Sequence, residues 1–137
     1  MTKRLYTAPE LMRLTRMTRR QVDYWEQRRL LVPLLRDAQA PAGRPARFYS
    51  ANEVLKALII CDLRRAGFTP RQVHEVARNL ERHGLRLETA EPYLLSDGYS
   101  VYFARTDSEV IDILKHHRQM MLLISIHDWT TRLRQVA

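Results

Sequence analysis

The sequence contains a single cysteine, Cys61, among 137 residues. One cysteine cannot form an internal disulfide, so cysteine usage gives no support for secretion. The longest apolar run, Met120–Ile126, is far too short to cross a bilayer. The first residues also lack the apolar stretch and small-residue cleavage site of a signal peptide. We therefore expect a cytoplasmic protein without a membrane partner.

Motifs for catalysis and metal binding are absent as well. The sequence has no glycine-rich phosphate loop, no Gly-x-Ser-x-Gly and no His-Glu-x-x-His. Cys61 lies among the apolar positions of a predicted helix, where a small buried thiol is more common than a metal ligand. His116 and His117 are neighbours on a predicted helix, about 100° apart, so they do not converge on one ion. We expect no catalytic residue, no metal and no cofactor.

The composition is that of a globular protein, with 45% hydrophobic and 28% charged residues. The net charge of +8 is unevenly distributed. Residues 1–83 contain 17 Lys and Arg against 8 Asp and Glu, whereas residues 84–137 contain 6 against 7. Fifteen of those 17 cations are arginines, which can hold a phosphate or a guanine edge with two hydrogen bonds. The first part therefore indicates a polyanion-binding module, and the second a different role.

Five capping boxes mark the starts of helices. In this motif a Ser or Thr hydroxyl accepts the N3 amide, and a Glu or Gln at N3 reaches back to the cap. The motifs are Thr7/Glu10, Thr18/Gln21, Ser50/Glu53, Thr69/Gln72 and Thr106/Glu109. With the apolar spacing that follows them, the first four predict helices over about Ala8–Leu14, Arg19–Arg28, Ala51–Ala66 and Pro70–His83. The first two helices are separated by Thr15, Arg16 and Met17, the tight turn of a helix-turn-helix.

The segment from residue 32 to residue 49 has a different pattern. Three prolines and a glycine exclude a long helix there. Short apolar pieces, Val32–Leu35 and Ala46–Tyr49, flank a polar tip. The cations of this segment are Arg36, Arg44 and Arg47. We predict a two-stranded ribbon with a basic tip, the wing of a winged helix-turn-helix.

The last third of the chain predicts a small ββαβα module. Asp97-Gly98 between two strand-like segments is a strong hairpin signal. A helix follows Thr106, Met120–Ile126 predicts a buried strand, and Trp129, Leu133 and Val136 share one face of a final helix. The predicted fold is mainly α, α+β overall: a winged helix-turn-helix of four helices and a two-stranded wing (residues 1–83), then this module (residues 84–137). Residues 84–137 contain no sustained heptad pattern, so we expect no coiled coil there. We expect the module to dimerise or to bind a partner.

The first turn of the second helix carries the residue types that read base edges. Arginine can bind guanine O6 and N7, glutamine can bind adenine N6 and N7, and a helix N-terminus favours phosphate. The residues there are Thr18, Arg19, Arg20 and Gln21. Together with the tight turn and the basic ribbon, they predict binding to double-stranded DNA.

Leu5–His83 resembles the DNA-binding domain of MerR-type transcriptional regulators. The matching stretches, in the family's order, are Tyr6-Thr-Ala-Pro-Glu-Leu, Val22-Asp-Tyr-Trp-Glu, Leu30-Leu-Val-Pro, Arg47-Phe-Tyr-Ser and Leu63-Arg-Arg-Ala-Gly-Phe-Thr. The resemblance implies a homodimer that binds a palindromic promoter site and distorts it, so that RNA polymerase can engage the promoter.

The resemblance also assigns roles to individual residues. Arg19 and Arg20 would face the groove, and Tyr24 would contact a phosphate. The predicted interface is completed by Arg28 and Arg36, and by Arg44, Arg47 and Tyr49, which would place the wing on the sugar-phosphate chain. Two positions depart from the family pattern. Asp23 stands where Arg or His is usual, which removes a phosphate contact or replaces it by an intramolecular pair. Arg29 stands where Gly usually ends the second helix, which would alter the turn that follows.

Two alternative functions are open. The segment from Leu94 onward resembles, more weakly, the C-terminal part of MerR-like antitoxins, which implies a DNA-binding antitoxin that autoregulates its operon and neutralises a partner toxin. The other alternative is an architectural factor that bends DNA. Such factors are usually shorter and lack a second module, so Leu94–Val136 argues against it.

Overall fold

The computed structural model describes residues 4–37, 46–82, 93–118, 120–125, 131 and 133. Within these residues there are five helices and two small antiparallel sheets, so the fold is mixed α and β with more helix than strand. The chain divides into two compact units, Met1–Cys61 and Asp62–Ala137. We call them the N-terminal unit and the C-terminal unit. The division of domains at residue 84 stays a prediction.

The N-terminal unit contains the first two helices and the first sheet. Its elements are β1 (Leu5–Thr7), α1 (Ala8–Thr15), α2 (Arg19–Gln27), β2 (Leu35–Asp37), β3 (Ala46–Ser50) and the larger part of α3 (Ala51–Arg65). The sheet has the order β1-β3-β2, with Tyr6 opposite Tyr49 and Arg36 opposite Arg47. The predicted ribbon is therefore part of a three-stranded sheet. Strand β1 was not predicted, because three residues are too few to show a strand's alternation.

The first strand of the predicted ribbon begins later than expected, at Leu35 instead of Val32. The Val32 N–H donates to the Glu53 carboxylate at 3.0 Å, and Pro33 has no N–H to offer a neighbouring strand. Val32 and Leu34 consequently lie before the strand, with exposed side chains.

Helix starts follow the predicted caps, with two differences. Complete capping boxes join Thr7 to Glu10, Thr18 to Gln21 and Thr69 to Gln72. At Ser50 and Thr106 the hydroxyl accepts the N3 amide at 3.2 Å, but the N3 carboxylate binds elsewhere. Glu53 accepts from Val32, and Glu109 accepts the Arg105 N–H at 2.6 Å. The motif located the helix starts even where its second hydrogen bond is replaced.

The turn between α1 and α2 is held by one buried threonine. The Thr15 hydroxyl donates to the Leu11 carbonyl at 2.7 Å and accepts the Met17 N–H at 3.1 Å. Arg16 between them has a left-handed backbone with φ of 63°. Met17 is buried, so the turn delivers an apolar side chain to the core before Thr18 begins α2.

The C-terminal unit contains the end of α3 and the second sheet. Its further elements are α4 (Pro70–Arg82), β4 (Tyr93–Ser96), β5 (Val101–Ala104), α5 (Asp107–His117) and β6 (Leu122–Ser125). The sheet order is β5-β4-β6, and Leu95, Ala104 and Val110 form a buried cluster. This succession matches the predicted ββαβ order. The predicted final helix lies outside the described residues except for Thr131 and Leu133.

The predicted Asp97-Gly98 hairpin joins β4 to β5 and contacts α4. The Asp97 carboxylate accepts the N–H groups of Tyr99 and Ser100 at 2.9 and 2.7 Å. The Asn79 amide donates to the Tyr99 carbonyl at 3.1 Å. A Cβ added to Gly98 would lie 2.7 Å from Gln72 Nε2, so the hairpin turn packs directly on α4.

Candidate DNA interface

Helix α2 has a buried face and an exposed face. Val22 and Trp25 are 0% and 5% exposed, and they fix which side of the helix faces the core. Since successive residues turn by about 100°, Arg20, Tyr24 and Gln27 lie on the opposite side. Gln27 is exposed and was not among the predicted interface residues.

The N-terminal turn of α2 is exposed from Thr18 to Gln21. Gln21 is partly committed there, because its Oε1 accepts the Thr18 N–H at 2.9 Å. A bidentate contact to adenine needs both the oxygen and the nitrogen of the amide, so the cap leaves Gln21 only its Nε2 donors. Arg19 and Arg20 form no ion pair with a described residue. They are the side chains of this turn with a full set of donors.

Tyr24 and Arg28 form a stacked pair one helical turn further on. The Arg28 guanidinium carbon lies 3.5 Å from the Tyr24 ring centroid, within cation–π distance. Tyr24 in turn meets Trp25 edge to face at 4.8 Å. Stacking holds the guanidinium on the exposed surface, where its Nη1 also donates to the Tyr24 carbonyl at 3.4 Å.

A group of charged side chains joins α2 to the β2–β3 hairpin. Arg47 Nη1 donates to Glu26 Oε2 at 2.6 Å and to Asp23 Oδ1 at 2.8 Å. The Tyr49 hydroxyl donates to Glu26 Oε1 at 2.5 Å. Arg36 Nη2 lies 3.7 Å from the same carboxylate. Glu26 on α2 thus binds side chains from both strands of the hairpin, and we call these five residues the Glu26 cluster.

Three members of the Glu26 cluster are buried or nearly so, whereas Asp23 and Arg36 are about half exposed. Glu26 is 10% exposed and Arg47 8%, and Tyr49 is fully buried. Burial opposes the charge of Arg47, but its hydrogen bonds to Asp23 and Glu26 outweigh burial and raise the pKa of Arg47. Burial and the hydrogen bond to Glu26 raise the pKa of Tyr49 well above its usual value, so its hydroxyl stays a donor. Arg47 therefore keeps its charge, and the Tyr49 hydroxyl its proton, throughout the physiological pH range.

The predicted interface residues fall into three groups in the structure. Exposed are Thr18, Arg19, Arg20, Gln21, Arg28 and Arg36, with Tyr24 partly exposed beside them. Arg47 and Tyr49 were expected on the sugar-phosphate chain, but their polar groups bind acidic residues of the same molecule. Arg44 lies outside the described residues. Glu26 was not among the predicted residues, and its only sequence signal is an acidic pair, Asp23 and Glu26, in a helix whose other charged residues are arginines.

Both departures from the family pattern have a structural outcome. Asp23 forms the intramolecular pair, with Arg47, that was one of its two expected consequences. Arg29 adopts φ of 59°, the left-handed conformation that glycine favours. The exit turn of α2 therefore keeps the geometry that a glycine would give it.

No helix in the described part of the chain is both long enough and apolar enough to span a membrane. Among the same residues, no three or more His, Cys, Asp and Glu side chains are grouped so as to hold a metal ion.

A short capped helix that presents arginines, behind a tight turn from the preceding helix and beside a two-stranded hairpin, is the arrangement of a helix-turn-helix protein. Residues 6–80 match the model of the MerR HTH family of regulatory proteins. The match covers more than half of the chain, and the protein belongs to this family.

Similar proteins occur in mycobacteria. The chain is 30% identical over 110 residues to uncharacterized HTH-type transcriptional regulators of Mycobacterium bovis and of two strains of Mycobacterium tuberculosis. These alignments cover 80% of this chain and 48% of each relative. The chain thus spans about half the length of the curated relatives it matches.

Proposed function

We propose that the protein binds a palindromic promoter site as a homodimer, with α2 in the major groove, and that it distorts the site. In this proposal the β2–β3 hairpin is the wing of a winged helix-turn-helix. The observation that carries the proposal is the first turn of α2, where Arg19 and Arg20 are exposed and have no acidic partner among the described residues.

Arg20 is the residue we assign to a base edge. It lies opposite Val22 and Trp25 on the helix, so it points away from the core. Arg20 is the second residue of α2, and the N-terminal turn of a recognition helix is the part that contacts bases in the groove. An arginine there can donate two hydrogen bonds to guanine O6 and N7. Arg19 and the Nε2 group of Gln21 then reach neighbouring bases or phosphates.

The Glu26 cluster fixes the position of the wing relative to α2, and therefore the position in which the wing meets DNA. Glu26 links α2 to both hairpin strands, so the helix and the wing move as one body. Arg47 and Tyr49 therefore serve as positioning residues, whereas Arg36, with a half-exposed side chain, supplies a phosphate contact together with Arg44. Tyr24 and Arg28 supply a second phosphate contact from α2 itself.

Replacing Arg20 by alanine should weaken binding to a selected duplex by about 10- to 100-fold, the loss typical of one bidentate base contact. It should also relax the base preference at one position of each half-site. The duplex is first selected from a random library with the unmodified protein, and affinities are then measured by fluorescence anisotropy at fixed salt.

Arg13→Ala is the matched control, because Arg13 is an exposed arginine on α1 of the same unit. The affinity of Arg13→Ala should differ less than threefold from that of the unmodified protein, because only one surface charge outside the proposed interface is removed. Equal losses for both variants, or an unaltered base preference for Arg20→Ala, would contradict the assignment. A footprint without two-fold symmetry would contradict the dimer on a palindrome.

A further inference from the structure

Three residues other than glycine have positive φ in the described part of the chain, and all three are arginines. They are Arg16, Arg29 and Arg118, with φ of 63°, 59° and 49°. Arg16 stands two residues before the cap of α2, and Arg29 stands two residues after its last residue. Two of the three therefore bracket the helix that we assign to the major groove.

The left-handed backbone of Arg16 and Arg29 is required by the path of the chain through the two turns, and not by the arginine side chains. At Arg16 the chain must reverse so that Met17 is buried and bonded to Thr15. At Arg29 it must reverse so that Leu30 and Leu31, 2% and 1% exposed, return to the core. Their N–H groups both donate to the Trp25 carbonyl, at 2.9 and 3.3 Å. Glycine adopts this conformation without strain, whereas an arginine is strained there through its Cβ.

The side chains of Arg16 and Arg29 are exposed, and neither forms an ion pair with a described acidic residue. The charges of Arg16 and Arg29 therefore form no ion pair, within the described residues, that could offset the free-energy cost of the strained backbone. Strained residues cluster at functional sites, and these two lie at the ends of the helix that we assign to the groove. The nine residues of α2 extend about 13 Å, close to the roughly 12 Å width of the major groove.

We propose that Arg16 and Arg29 bind phosphates at the two ends of α2, on the strands that border the groove. The inference rests on the proposed function, because it places α2 in the groove. It adds two contacts that neither the sequence motifs nor the family resemblance assigned. The two strained turns lower the stability of the fold, and the phosphate contacts of Arg16 and Arg29 raise the affinity for DNA.

The experiment compares Arg16→Gly, Arg29→Gly and Arg118→Gly. Arg118 is the control because it has the same backbone conformation and an exposed side chain but ends α5 in the C-terminal unit. All three variants should melt about 2–4 °C higher than the unmodified protein, since each relieves a strained turn. Only the first two should bind the selected duplex more weakly, by about 3- to 10-fold at moderate salt. Each should also reduce the slope of log affinity against log salt by about 1.8, because the dimer loses two phosphate contacts at about 0.9 each.

Two further variants separate charge from backbone. Arg16→Gln keeps the strain and removes the charge, so it should lower the salt slope without raising the melting temperature. Arg16→Lys should keep the slope. Unchanged slopes in Arg16→Gly and Arg29→Gly, with binding by Arg20→Ala still impaired, would overturn this inference alone. If Arg20→Ala also binds normally, the placement of α2 in the groove fails with it.

Discussion

Replacing Glu26 by alanine should destabilise the N-terminal unit by about 3 kcal/mol. Arg47 is 8% exposed, and a guanidinium is not deprotonated in proteins, so it stays charged when its closest partner is removed. A buried charge without a full partner loses its hydration and gains little in return. The buried Tyr49 hydroxyl loses its acceptor in the same variant. Asp23 retains one contact with Arg47, which is why the expected value lies at the low end for a broken buried pair.

Asp23→Ala is the matched control for Glu26→Ala. Its carboxylate binds the same Arg47 nitrogen but is 47% exposed, so its removal should cost less than about 1 kcal/mol. Unfolding in urea, followed by the fluorescence of Trp25 in a Trp129→Phe background, measures both values. The double variant Glu26→Ala with Arg47→Ala should be less destabilised than the sum of the single variants, because the two groups interact directly. Equal costs for Glu26→Ala and Asp23→Ala would show that Glu26 does not hold the hairpin.

Gly98→Ala should destabilise the C-terminal unit by about 2–3 kcal/mol, from two separate causes. The backbone at Gly98 has φ of 99°, which costs a residue with a Cβ about 1–2 kcal/mol. The new methyl group would also lie 2.7 Å from Gln72 Nε2. Gln72 cannot move away freely, because its Oε1 caps α4 by accepting the Thr69 N–H at 2.9 Å. Displacing it loses about a further 1 kcal/mol of capping.

Gly67→Ala separates the two causes. Gly67 has nearly the same φ, 95°, but a Cβ there would meet no atom within 4 Å. It should therefore show the backbone cost alone, about 1–2 kcal/mol. In a Gln72→Ala background, the cost of Gly98→Ala should fall to that of Gly67→Ala. Thermal unfolding of the unmodified protein, the three single variants and the double variant measures this. If Gly98→Ala and Gly67→Ala are equally destabilising in the unmodified background, the hairpin turn does not pack on α4 as described.

The elements that could be predicted from sequence are those whose signals are local. Thr18 and Gln21, three residues apart, determine where α2 begins, and the Asp97-Gly98 pair determines the second hairpin. Each signal reflects hydrogen bonds or backbone preferences within a few residues. The bounds of α1, α2, α3 and α4 accordingly lie within one residue of those predicted.

The Glu26 cluster could not be predicted, because its members meet only through the fold. Glu26 is 21 residues from Arg47 and 23 from Tyr49 in sequence. Nothing in the pattern of the hairpin shows that Arg47 turns inward to a carboxylate, and the resemblance suggested a phosphate contact instead. Strand β1 was missed for a similar reason, since its partner β3 begins 39 residues after β1 ends. The left-handed backbone of Arg16 and Arg29 could not be predicted from the sequence either. It is this conformation that leads to the proposed phosphate contacts.

Methylation interference on the selected duplex tests most directly whether α2 contacts bases in the major groove. Guanine N7 faces that groove, and its methylation blocks a bidentate arginine contact. We expect methylation of at least one guanine in each half-site to abolish binding by the unmodified protein. In Arg20→Ala one guanine per half-site should lose this effect, while Arg13→Ala should keep the full pattern. Binding that is indifferent to guanine N7 methylation at every position would contradict the placement of α2 in the groove.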